Sequence, residues 1–394
     1  MTQYFHLESR PHFDSYEETV EKTSFLIQDA IKRQMVSDVP ICTFLSGGVD
    51  SSVVSAVCAA ELKKQGKKLT TFSFDFIDND KYFKANSFQP SQDRPYVDKM
   101  VSFLDSDHHY LECDNKMQAD LLYRSVDAHD LPCMADIDSS LQYFCEEVSH
   151  SHKVVLTGEC ADEVFGGYPW FHREEMLNSG TFPWTPSLTP RKVLLKDDLV
   201  KSLHMDEYVK KIYDRSVSEI NVLPSENEIE TNRRRIGYLN IRFFMQTLLN
   251  RMDRTSMFSG LEARVPFADR KLVDYVFNIP WEMKAKDGLV KNILRQASKG
   301  LLPDEILFRR KSPYPKTYNP YYENLLAKRL KEVLADSASP LHSLLDLKQV
   351  TQFLENPKDY GAPWYGQLMA GPQMIAYLLQ IEYFLRKYNV SIRI

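Results

Sequence analysis

The sequence predicts an α/β fold: a parallel sheet with helices on both faces, followed by a helical lobe. Three observations predict it. Up to about residue 175, short apolar runs alternate with amphipathic stretches of helical length. Two of those apolar runs end in turns rich in glycine, serine and acidic residues, as strands do when they carry a ligand site at the carboxyl edge of a parallel sheet. Beyond "TFPWTPSLTP" (181–190), whose prolines mark a boundary, the patterns are helical and almost without strand-like runs. The 394 residues also exceed the ~250–300 at which a single core stops growing. Three segments are expected: a linker over 1–15, an α/β domain over 16–175 and a helical lobe over 176–394.

The elements follow in order. "SYEETVEKTSFLIQDAIKRQM" is an amphipathic helix, with Ser15 and Glu18 spaced as a capping box. "VPICTFL" is a short buried strand. A helix is expected from about Ser51 to Lys64, ending near Gly66. "KLTTFSFDF", rich in Thr and Phe, is the second strand. "PYVDKMVSFLDS" is a helix and "HHYLEC" the third strand. Two helices, "QADLLYRSVDAHD" and "DSSLQYFCEEVSHS", lead to the fourth strand, "KVVLTGE". Later helices include 233–260, 270–279 and 371–388.

Composition excludes some functions. A net charge of −5, with 26% charged residues, favours neither nucleic acid nor a membrane surface as partner. No apolar run reaches the ~18 residues of a membrane span, and the first residues lack the basic-then-apolar order of a secretory signal. The six cysteines (Cys42, Cys58, Cys113, Cys133, Cys145, Cys160) form no CxxC pair. They are expected to be reduced, mostly buried thiols of a cytoplasmic protein. His108, His109, His150 and His152 match no metal spacing and are expected to be structural or exposed.

The first motif is "LSGGVDSS", Leu45 to Ser52. Glycines ahead of a helix let the backbone approach an anion, and the helix N-terminus offers free N–H groups and partial positive charge. Ser46, Ser51 and Ser52 add hydroxyls. A phosphate group is the expected guest. Asp50 would repel it unless Mg²⁺ sits between them. A plain tight turn with a capping Asp or Ser would also fit, but less well after an apolar strand. Neither GxxxxGK[ST] nor GxGxxG occurs in the chain.

The second motif is "VVLTGECADEVFGGYPWF", Val154 to Phe171. Glu159, Asp162 and Glu163 crowd into five positions, which suggests metal or proton chemistry. Asp162 is a candidate second Mg²⁺ ligand, and Glu159 a candidate general base. A solvated acidic turn is the plainer reading. The glycines and aromatics that follow argue for a pocket wall instead.

"SGGVDSS" resembles the pyrophosphate loop of the ATP pyrophosphatases (PP-loop enzymes), which cleave ATP between the α and β phosphates. "TGECADEVFGGY" is similar to the "GEGxDExFxGY" signature of asparagine synthetases and β-lactam synthetases, with Cys160 and Ala161 at the variable positions. "MDRTSMFSGLEARVPFADRKLVD" (252–274) and "GLVKNILRQASKGLLPDEILFRRKSPYP" (288–315) also resemble asparagine synthetase segments. The resemblance implies a PP-loop α/β core and the ATP-dependent amidation of L-aspartate through β-aspartyl-AMP, releasing AMP and pyrophosphate. It implies that Leu45, Ser46, Gly47, Gly48, Val49, Asp50, Ser51, Ser52, Ser73, Phe74, Thr157 and Gly158 bind ATP. Asp50 and Asp162 would hold Mg²⁺, Lys311 in the "FRRK" element would stabilise the transition state, and Glu159 would take the proton of the attacking nitrogen. "ADIDSS" (135–140) falls where relatives line the nucleotide and aspartate pocket.

Glutamine-dependent relatives begin with a glutaminase domain whose nucleophile is a Cys after Met1, whereas this sequence reads Met-Thr-Gln. The expectation is ammonia supplied free or by a separate glutaminase, or a chain that is a fragment of a longer enzyme. An apolar face left by the missing domain could be covered by a second copy. Two other readings stay open. One is a related amide- or lactam-forming synthetase of the macrolactam cyclase type, in which the insertion "IDNDKYFKANSFQPSQDRPY" (77–96) would serve a larger substrate. The other is a non-catalytic nucleotide-binding fragment.

Overall fold

A computed structural model describes residues 5–85, 89–312, 314–357 and 371–393. Part of the 77–96 insertion, residues 86–88, lies outside them.

Helix α1 (Tyr16–Gln34) starts at the expected capping box: Ser15 Oγ accepts from the Glu18 amide at 3.3 Å, and Glu18 Oε2 from the Ser15 amide at 2.8 Å. Strand β1 (Ile41–Phe44) runs into a helix, α2 (Val49–Lys64), that starts two residues before the expected Ser51. Gly48 in extended backbone already serves as its cap, so Val49 and Asp50 complete the first turn. Strands β2 (Thr70–Phe76), β3 (Asp107–Cys113) and β4 (Val154–Leu156) fall where the apolar runs place them.

The second half is not purely helical. Glu262–Arg264 forms β5, parallel to β4, with Val155 opposite Ala263. Three residues are too few to show an alternating pattern, which is why the strand is invisible in the sequence. The completed sheet is all parallel, in the order β3-β2-β1-β4-β5. Helices α1 and α2, with 94–104, 270–277 and 292–297, bury one face. The helices Asp136–Ser149 and Gln246–Phe258 bury the other, around Cys42, Phe72, Phe144, Val155 and Met252. A second core joins Asn115–His129 to the helices 320–335, 347–355 and 371–387. Residues 5–14 form no helix or strand; they dock on Arg270–Phe277, where Asn278 bonds both the Arg10 amide (2.7 Å) and the Glu8 carbonyl (3.1 Å).

The topology locates the site. Strands β2 and β3 lie on one side of β1, and β4 and β5 on the other. Chain connections therefore diverge between β1 and β4, and a crevice opens beyond their carboxyl ends. Both glycine- and acid-rich motifs occupy that crevice.

Six free cysteines are present; five are buried and Cys133 is partly exposed. Among the described residues, no helix is long and apolar enough to cross a membrane.

Candidate active site

A cavity of about 310 Å³ occupies the crevice. Its floor is the turn after β1. Leu45 continues the sheet by donating to the Phe72 carbonyl (2.8 Å), and the chain then turns at Gly47, with φ of +67°. A side chain there would meet Tyr96 Cβ at 2.7 Å, so glycine is needed for both the turn and the packing. No side chain caps α2, which leaves its first amides facing the crevice. Ser51 Oγ accepts from the Ser46 amide at 3.1 Å and lies 3.0 Å from Ser46 Oγ, which fixes two hydroxyls at the rim of that N-terminus.

The β4 turn lies directly on α2. A Cβ on Gly158 would fall 2.5 Å from the Ser51 amide nitrogen and 2.7 Å from the Asp50 carbonyl carbon. Gly158→Ala should therefore push the two loops apart, at a cost of about 1–3 kcal/mol as overpacking does. Urea unfolding would read the cost, and pyrophosphate release should fall with it.

Asp50 and Asp162 face each other across one cation. Lys291 Nζ lies 2.6 Å from Asp50 Oδ2 and 2.5 Å from Asp162 Oδ1, the second an ion-pair contact without hydrogen-bond geometry. Lys311 Nζ reaches Asp162 Oδ2 at 2.7 Å and sits 3.9 Å above the Tyr168 ring. Burial, reinforced by the Asp162 charge, raises Asp50 above the usual carboxylate range, against the pull of Lys291 and the weaker pull of Lys311. Burial acts on Asp162 too, but Lys291 and Lys311 together outweigh it and hold that carboxyl below the usual range. Lys291 is buried, with φ of +57°, a conformation that costs a non-glycine residue roughly 1–2 kcal/mol. Arg295 fixes it there. Its guanidinium donates to the carbonyls of Val290 (2.7 Å), Leu307 and Arg309 (3.1 Å), tying the segment before Lys291 to the segment before Lys311. Arg309 in turn donates to the Ser46 carbonyl at 3.0 Å and pairs with Asp93.

The other wall carries Glu159 and Glu163. Glu159 Oε1 pairs with Arg251 Nη2 at 2.5 Å, while its Oε2 is buried without a hydrogen-bond partner among the described residues. Arg251 follows a π-helical stretch, Asn240–Met245, within the helical segment 228–258, and Asn240 donates to the Glu163 carbonyl at 3.2 Å. Glu163 bonds Tyr168 Oη, and burial, reinforced by Asp162, pushes its carboxyl up to about 7. A carboxyl raised on folding stabilises at low pH and loses that contribution as pH rises through its folded value. Wild-type stability should fall between about pH 4.5 and 7 through this group, and Glu163→Gln should flatten that slope in urea titrations.

Of the residues expected from sequence, Leu45, Ser46, Gly48, Asp50, Ser51, Ser73, Phe74, Thr157, Gly158, Glu159, Asp162 and Lys311 all line the one cavity. Gly47, Val49 and Ser52 lie behind its wall: Gly47 against Tyr96, Val49 in the core, and Ser52 fully buried. His108 is structural, bonded to Thr71 (2.7 Å) and Ser73 (2.9 Å). Lys291 and Arg251 were not foreseen as site residues. The available signal for Lys291 is a lone cation among Leu289, Val290, Ile293 and Leu294, since a charge in such a run is either paired or functional.

The arrangement can grip a polyphosphate: a free helix N-terminus, two hydroxyls, two lysines and a pair of carboxylates. Mg²⁺ fits this set, because Asp50 Oδ1 is buried without a hydrogen-bond partner among the described residues and Asp162 lies across Lys291 from it.

The family model described as asparagine synthase matches residues 23–386. The chain is 48% identical over 392 residues to glutamine-hydrolyzing asparagine synthetase 3 of Bacillus subtilis (strain 168), covering 99% of this chain and 64% of that protein. It is 27% identical over 387 residues to glutamine-hydrolyzing asparagine synthetase 1 of the same organism, covering 90% and 58%. The match to the glutamine-hydrolyzing asparagine synthetase of Rattus norvegicus is 26% over 333 residues, covering 80% and 48%. The chain thus spans less than two thirds of the length of these relatives. With both signature turns at one crevice and the match running almost end to end, the chain belongs to the asparagine synthase family.

Proposed function

We propose that the chain makes L-asparagine from L-aspartate, ATP and ammonia. A side-chain carboxylate oxygen of aspartate attacks the α-phosphorus of ATP. The α–β bridging bond breaks, giving β-aspartyl-AMP and pyrophosphate. Ammonia then attacks the acyl carbon, AMP leaves, and the amide forms. The observation that carries this reading is the placement of Asp50, Asp162, Lys291 and Lys311 at the uncapped α2 terminus, in one cavity with Glu159.

The residues divide the work. The α2 amides with Ser46 and Ser51 bind the departing pyrophosphate. Lys291 and Lys311 neutralise charge that grows as the α–β bond breaks, and such preorganised charge is usually the largest catalytic contribution. Mg²⁺, held by Asp50 and Asp162, would supply further neutralisation of phosphate charge. Glu159, oriented by Arg251, accepts the proton of the incoming nitrogen at its free Oε2. Leu45, Ser73 and Phe74 form the adenosine side of the cavity. Six unpaired cysteines suit a cytoplasmic setting.

The test is an assay with aspartate, ATP, Mg²⁺ and ammonium, reading AMP, pyrophosphate and asparagine. Equal amounts of all three support the reading; no AMP at any ammonium concentration overturns it. Replacing ammonium by glutamine, with and without an added glutaminase, identifies the nitrogen source.

A further inference from the structure

We propose that His129, Cys133 and Asp138 form a binding site for a transition-metal dication of the Zn²⁺ class. The site is separate from the Asp50–Asp162 pair. His129 ends the helix Asn115–His129, Cys133 lies in the following loop, and Asp138 is in the first turn of Asp136–Ser149. One ligand atom from each lies within 4.8 Å of the others.

Hydrogen bonding prepares each group for a metal. His129 Nδ1 lies 2.8 Å from the Ser125 carbonyl. A carbonyl only accepts, so Nδ1 carries the proton and Nε2 presents its lone pair. Ligating histidines are commonly oriented in this way. Nε2 has no hydrogen-bond partner among the described residues, although the side chain is only 10% exposed. Asp138 is 1% exposed; its Oδ2 accepts from the Met134 amide at 2.5 Å, and its Oδ1 has no partner among the described residues. His129 Nε2 and Asp138 Oδ2 are 3.9 Å apart, too far to satisfy one another. Cys133 is held by Gln380, which accepts from its amide at 3.1 Å and donates from Nε2 to its Sγ at 3.2 Å. The thiol donates to Ser125 Oγ at 3.5 Å, a proton that metal binding would release.

Two buried atoms without hydrogen-bond partners among the described residues thus lie in one cluster with a thiol. Ligands on one Zn²⁺ lie roughly 3–4 Å apart, given bonds of ~2.0–2.3 Å. Small side-chain adjustments therefore close the triad around an ion. Nitrogen and sulfur donors select Zn²⁺ or its neighbours over Mg²⁺. Binding replaces the thiol proton with the metal and releases it to solvent.

The site has a structural consequence for the cavity. Met134, between Cys133 and Asp138, lines it, as does Ile137. Ala135 has φ of +52° and ψ of −125°, a strained conformation for alanine. A metal tying position 129 to 133 and 138 would pin that strained wall.

The experiment uses the full chain, stripped with a chelator and titrated with Co²⁺, then Zn²⁺. One equivalent of Co²⁺ should give a thiolate-to-metal absorption band, displaced by Zn²⁺, and Zn²⁺ should raise the thermal midpoint. Cys133→Ser should lose the band and His129→Gln should weaken binding at least ten-fold, with folding checked by circular dichroism. Asp138→Asn, which keeps side-chain volume, should weaken binding as strongly and serves if Cys133→Ser folds poorly. Asp50→Ala should keep the band, because oxygen ligands give none. A wild-type chain that takes up no Co²⁺, as when a water alone bridges His129 and Asp138, overturns the proposal. So does a band that survives Cys133→Ser.

Discussion

Lys291→Met is expected to destabilise the metal-free chain by about 3–5 kcal/mol, the cost of removing one partner from a buried ion pair. The reason is the asymmetry between the two carboxylates. Asp162 keeps Lys311 at 2.7 Å, whereas Asp50 loses its ion-pair partner. Burial then outweighs the weaker pull of Lys311 on Asp50 and raises it further. A raised carboxyl contributes stability below its folded value, so the variant should gain stability as pH falls from neutral. In the wild type the contribution of Asp162 runs the other way. Its carboxyl is lowered, so that stability is present above the ordinary aspartate value of 3.8 and is lost as pH falls below it. Urea unfolding of both proteins across this range measures the opposed slopes. Mg²⁺ should restore part of the lost stability in the variant, because the two carboxylates are the ligands proposed for it. A variant as stable as the wild type, with the same pH profile, would remove Lys291 from the site.

Lys311→Ala is expected to lower the rate of pyrophosphate release about 10²–10³-fold, as loss of one preorganised charge does at a site of developing charge. Stability should change by no more than about 1 kcal/mol. Lys311 is a quarter exposed, and Asp162 retains Lys291. Single-turnover pyrophosphate release, read beside urea unfolding, separates the two effects. The contrast with Lys291 is the sharp part. Two lysines touch one aspartate, and both face the developing charge, yet only Lys291 should also carry a large share of the free chain's stability. Equal rate losses with equal stability losses would show that they form a single structural unit.

The legibility of this site follows sequence distance. Asp50, Ser51, Glu159 and Asp162 sit in short strings whose strand-turn-helix context is local, so their place in one cavity could be read from a dozen residues. Lys311 was readable only through its resemblance to a family element, because "FRRK" alone is an ordinary basic cluster. Lys291 lies 241 positions from Asp50, and Arg251 lies 92 from Glu159. No local pattern encodes such pairs. The π-helical stretch before Arg251 is likewise a backbone irregularity that hydrophobic periodicity does not report. The sheet shows the same limit. Strands β1 to β4 follow from apolar runs, whereas β5 is three residues long with a charged residue at each end.

Strand β5 has a consequence in time. It begins 106 residues after β4 ends. At synthesis rates of roughly 5–20 residues per second, about 5–20 s separate the two strands as they leave the ribosome. Through that interval β4 is an open border, with unpaired backbone groups on the flank that β5 will take. The turn carrying Glu159 and Asp162 hangs from that border. The nascent chain can therefore form the turn after β1, proposed to bind phosphate, early, but the acidic turn opposite has only half its support until residue 264 has emerged.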